Sequence, residues 1–82
     1  MILPTKGIPA SKALITVGSE ILVTLGESSL TISGLWLKIG DRRKRSDLSR
    51  ISYDWFVLAV DLLYALGAVH LTDLGLLKRS DL

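Results

Sequence analysis

Ser52–Arg79, SYDWFVLAVDLLYALGAVHLTDLGLLKR, decides how this chain folds. Ser52 suits a helix N-cap, Asp54 falls in the first turn where a carboxylate complements the helix dipole, and Tyr53–Leu66 holds neither glycine nor proline. The stretch predicts a helix closed by Gly67 as a left-handed C-cap. After it, Ala68–Leu71 reads as a strand, Thr72–Gly75 as a tight turn and Leu76–Arg79 as the returning strand.

Upstream, Leu14, Val17, Ile21, Leu22 and Leu25 recur at helical spacing, with Pro9 suited to the entrance and Gly26 to the exit of a first helix over Ala10–Leu25. Thr16, Gly18 and Thr24 weaken its intrinsic propensity, so tertiary packing must stabilise it. Glu27–Leu30 reads as a turn feeding a brief extended piece. Thr31 then caps a second helix from Ile32 to about Ile39, with Ile32, Leu35, Trp36 and Ile39 on one side. Asp41–Arg50, DRRKRSDLSR, is expected to be a charged connecting loop, with frayed helix at its start as the alternative. The order of helix, extended piece, helix, loop, helix and hairpin is that of a winged helix-turn-helix. It is mainly α, three helices plus a wing, with the residues around Leu30 pairing at the hairpin edge. A plain three-helix bundle is the alternative.

The chain has 82 residues, room for one winged-helix-like domain over 1–82 with an N-terminal arm over 1–9. Hydrophobic residues make up 49% and charged residues 22%, with mean hydropathy +0.45, which excludes intrinsic disorder. A core this small supplies only ~3–5 kcal/mol, so a partner chain is expected. With no cysteine there is neither a disulfide framework nor a thiolate metal site, and a cytoplasmic location is the expectation. Met1–Ala10 places two prolines and a glycine where a secretory segment needs an apolar core, so it reads as native structure. Trp55–Leu71 is the most membrane-like run, but Asp61 and His70 interrupt it and it is short of the ~20 residues a span needs. No membrane partner is expected.

The third helix occupies the place of a DNA-reading helix, whose outer face should offer Arg, Lys, Asn, Gln or Ser. YDWFVLAVDLLYAL offers none of these and carries Asp54 and Asp61. Asp54, Asp61 and Tyr64 form one narrow polar stripe, and the rest is apolar. A helix apolar nearly all round must be covered on most sides, and a domain of this size covers only part of it. The uncovered part is expected to meet another protein, with Trp55, Phe56, Leu58, Asp61, Leu62 and Tyr64 as its candidate interface. Under a partner, Asp61 must be paired with Arg or Lys. On a bland reading, Asp54 serves the helix dipole, Asp61 marks a solvated side, and the aromatics are core.

The charge is uneven. Lys38–Arg50 holds six basic residues against two acidic ones, while the remainder is slightly acidic. Arg42, Arg43, Lys44 and Arg45 are the candidate contact for nucleic acid or an acidic surface, with Lys78 and Arg79 as possible additions from the wing. A solvated charge run is the simpler reading. No aromatic interleaves these residues, so base stacking has no evident platform. His70 stands alone without metal-ligand spacing, no serine has a positioned base, and the glycines form no phosphate loop. No catalytic residue, cofactor or metal is predicted, and the chain is not expected to be an enzyme.

Leu3–Ile8 (LPTKGI), Ala13–Val17 (ALITV) and above all Ile51–Leu71 (ISYDWFVLAVDLLYALGAVHL) resemble the small middle component of bacterial ABC-three-component systems, the Lamassu-like anti-phage defence systems. The resemblance covers most of the chain and is weakest over Asp41–Arg50. It implies an assembly with an SMC- or Rad50-like ABC ATPase and an effector subunit, often a nuclease, in which the middle component is a small adaptor without catalysis and DNA is met through the complex. It hands over no residue-level site. The competing function is a small winged-helix transcriptional regulator that binds DNA through the basic run and wing.

Overall fold

A computed structural model describes residues 10–80. The expected arm over 1–9 lies outside them. Three helices, α1 (Ala10–Leu25), α2 (Ile32–Arg45) and α3 (Tyr53–Ala65), are joined by three short strands, β1 (Ser29–Leu30), β2 (Val69–Leu71) and β3 (Leu77–Arg79). The strands form one antiparallel sheet in the order β1-β3-β2. Leu77 faces Leu30 on one side and Leu71 on the other, and Lys78 faces Ser29 and His70. The fold is mainly helical with a small sheet and is compatible with a winged helix.

Each boundary has a local cause. Thr31 accepts a hydrogen bond at its hydroxyl from the Gly34 N–H (2.9 Å), and Ser52 does the same for the Trp55 N–H (3.2 Å), so both caps satisfy donors the helix leaves unpaired. Gly67, at φ +76°, closes α3: its N–H donates to the Tyr64 carbonyl and that of Ala68 to the Leu63 carbonyl. In the hairpin the Thr72 N–H donates to the Leu76 carbonyl, and its hydroxyl accepts from the Leu76 N–H.

The second helix corrects the expectation. It runs six residues past Ile39, so Arg42–Arg45 lie on its last turns and not in a loop. Gly40 in a helix interior costs only about 1 kcal/mol. Four basic residues at the C-terminal end complement the helix dipole, and Asp41 pairs with Arg45 one turn on (3.1 Å). The helix stops at Asp47, which takes φ +57° while its N–H donates to the Lys44 carbonyl and that of Leu48 to the Arg43 carbonyl.

The core is a single cluster. Ile21 and Leu25 of α1, Leu35 and Ile39 of α2, Phe56 of α3, and Val69 and Leu77 of the hairpin are its largest fully buried side chains. Each contributes roughly 1.5–3 kcal/mol of apolar burial. Gly18 lets α1 approach α3, since a Cβ there would lie 3.3 Å from Leu63 Cδ2.

Candidate functional site

The packing of α1 divides α3 into two sides. Trp55, Phe56, Ala59, Val60 and Leu63 face inward, with Trp55 2% and Phe56 0% exposed. Both aromatics are thus core residues. Phe56 also belongs to an aromatic trio with Trp36 (ring centroids 5.1 Å) and Tyr53 (5.8 Å), which fastens the N-terminal end of α3 to α2. Of the six candidate interface residues, Leu58, Asp61 and Tyr64 are exposed and Leu62 is half-buried. Tyr64 is 58% exposed, and Leu66 just beyond the helix is exposed as well. The outward side of α3 is therefore a strip of Leu58, Leu62 and Tyr64 with Asp54 and Asp61 along it. It holds no basic side chain.

The basic run is not one uniform patch. Arg43 is only 14% exposed; its guanidinium pairs with Glu20 of α1, and its Nε donates to the Ser49 carbonyl (2.6 Å). Arg45 pairs with Asp41 on the surface. Arg42 and Lys44 have no ion-pair partner among the described residues. In the wing, Arg79 turns toward α1 and reaches the Leu22 carbonyl at 3.5 Å. Two arginines of the four-residue run are thus engaged within the fold, which reduces the cation density available to a phosphate backbone.

The inward turn of Arg43 was missed by sequence reasoning. Leu35, Ile39 and Arg43 follow one another at spacings of four, so the phase that marks the inner face of α2 continues into the charged run. That phase was the available signal.

His70 is exposed on β2 with Nδ1 3.2 Å from the Ser80 hydroxyl. Among the described residues no group of acidic or histidine side chains is placed to hold a metal ion, and no helix is long and apolar enough to cross a membrane.

No curated protein and no solved structure matches this chain. A family model, ABC-three component (ABC-3C) system Middle Component 6, matches residues 3–80, nearly the full length. With that match added to its sequence resemblance, the chain belongs to the middle component 6 family of ABC-three component systems and is one component of a multi-subunit system.

Proposed function

We propose that this protein is a non-catalytic adaptor of an anti-phage defence complex, docking through the outward side of α3 onto an SMC- or Rad50-like ABC ATPase and an effector such as a nuclease in the cytoplasm. The outward side of α3 carries the reading. Where a DNA-reading helix presents cations and amides, this helix presents Leu58, Leu62 and Tyr64 beside two carboxylates. Such a face gains by meeting polypeptide and is repelled by phosphate.

The regulator reading has less support. Arg43 and Arg45 are held in ion pairs, and Arg79 turns toward the α1 backbone.

Co-expression with a candidate ABC ATPase and effector of the same system tests the adaptor reading. The three chains are expected to co-elute. Asp61→Arg, which places a cation where a partner cation should pair, and Tyr64→Ala are each expected to abolish co-elution while the variant stays folded. A chain that remains monomeric beside both subunits would sink the proposal.

A further inference from the structure

We infer that the outward face of α1 is a self-association surface, which takes the same face of a second copy of this chain running antiparallel to it. α1 packs on α2 and α3 through Ala13, Val17, Ile21 and Leu25. Its opposite side is uncovered. Lys12, Ile15, Thr16, Ser19 and Val23 are all exposed, Ile15 by 61% and Val23 by 59%. Ile15, Ser19 and Val23 follow one another at spacings of four, so they form one line along the helix. Two large aliphatic side chains with a small one between them make a ridge and a gap that another helix packs against.

The hydroxyls on this face are already engaged. Thr16 donates to the Lys12 carbonyl (3.0 Å) and Ser19 to the Ile15 carbonyl (2.9 Å), each one turn back in the same helix. Covering the face therefore strands neither group. Ser19 lies midway between Ile15 and Val23, and its small side chain lets a second helix come close at the crossing point.

Charge selects the occupant and its direction. Between Lys12 and Glu27 the sequence holds one charged residue, Glu20, and that carboxylate turns aside to Arg43. Lys12 and Glu27 are exposed, and the ion pairs among the described residues, Glu20 with Arg43 and Asp41 with Arg45, use neither. A two-fold axis through Ser19 sets Ile15 of each copy against Val23 of the other and brings the Lys12 end of one helix to the Glu27 end of its neighbour. Along the axis Lys12 stands about 10 Å from Ser19 and Glu27 about 12 Å, a difference the lysine side chain spans. Parallel packing would set like charges together at both ends. A partner surface of one sign would gain at one end of this face what it loses at the other, whereas a second copy gains at both. The α3 strip has no such symmetry: it carries Asp54 and Asp61 without a cation, so two copies meeting there would repel.

The face is one helix wide, so the contact belongs to the small class of interfaces, below about 1,200 Å² in total, and the dimer is reversible. It shares no residue with the α3 strip. A dimer therefore presents two such strips at once, and a contact made twice to one larger assembly gains avidity. The inference requires no other protein and stands independently of the adaptor reading.

Sedimentation velocity of the 82-residue chain over a concentration series tests it. A monomer–dimer equilibrium in the micromolar range is expected. Ile15→Ser/Val23→Ser should weaken it about a hundredfold, with an unchanged thermal melt because both side chains are exposed. Lys12→Glu and Glu27→Lys should each weaken it about tenfold, since either change sets like charges at both ends. Mixed in equal amounts, these two single variants should associate again as strongly as wild type, because every end then meets its opposite charge. Leu58→Ser/Tyr64→Ala should leave the dimer intact. Four results overturn the inference: a chain that stays monomeric up to about 1 mM, a dimer that survives Ile15→Ser/Val23→Ser, a mixture of the charge variants no stronger than either alone, or a dimer lost in Leu58→Ser/Tyr64→Ala, which moves the contact to α3.

Discussion

Arg43 on α2 is held by Glu20 on α1, 23 residues earlier in the chain, and the same guanidinium group donates to the Ser49 carbonyl. One side chain thereby ties the first helix, the end of the second and the connector into α3. A residue that sequence composition assigns to solvent or phosphate is a structural fastener.

Removing it should destabilise the fold by about 1–2 kcal/mol, the range for a partly buried, charge-assisted pair whose loss leaves a carboxylate less well satisfied. Urea denaturation of Arg43→Ala measures this, and the Glu20→Ala/Arg43→Ala cycle should return a favourable coupling. Arg45→Ala, which breaks only the surface pair with Asp41, should stay within about 0.5 kcal/mol of wild type. Equal losses from the two arginines would remove the fastener role.

The two sides of α3 should respond in opposite ways. Phe56→Ala empties a fully buried site and should cost about 3–5 kcal/mol, most of the stability of a domain this small. Leu58→Ser and Tyr64→Ala should move stability by no more than about 0.5 kcal/mol. Thermal melts followed by co-elution with the proposed ATPase partner separate folding from docking. A Tyr64→Ala variant that unfolds would place that side chain in the core after all.

Asp47 stops α2 in the left-handed region, where a Cβ is strained, and glycine performs the same task at the end of α3. Asp47→Gly should raise stability by about 0.5–1 kcal/mol, and Gly67→Ala should lower it by about 1 kcal/mol. Denaturant midpoints at unchanged m-value provide the reading. A loss on Asp47→Gly would mean that its carboxylate has a structural role.

Thr24 is buried in α1 and its hydroxyl has no hydrogen-bond partner among the described residues. Thr24→Val keeps the shape and removes the stranded group, so stability should rise by about 1 kcal/mol. Calorimetry on the two proteins decides; an unchanged or lower melting temperature contradicts the assignment.

Local chemistry decides which of these features are legible in the sequence alone. Helix starts at Thr31 and Ser52, and the stop at Gly67, were legible because each is completed by hydrogen bonds spanning five residues or fewer. The wing was legible for the same reason, its turn closing on Thr72 and Gly75. The extent of α2 was not, since Asp41–Arg45 offers almost no hydrophobic period. Its helix is supported by a side chain on α1 that no local window contains.

Order, type and most limits of the elements were thus written in short-range chemistry, along with the poverty of α3 in groups that could grip DNA. Which flank of α3 meets water was not, because a helix apolar nearly all round has no preferred side until another surface chooses one. Here α1 chooses it, with Gly18 set against Leu63 and Trp55 and Phe56 turned into the core. The engagement of Arg43 arises in the same way, from surfaces that approach only when distant parts of the chain pack.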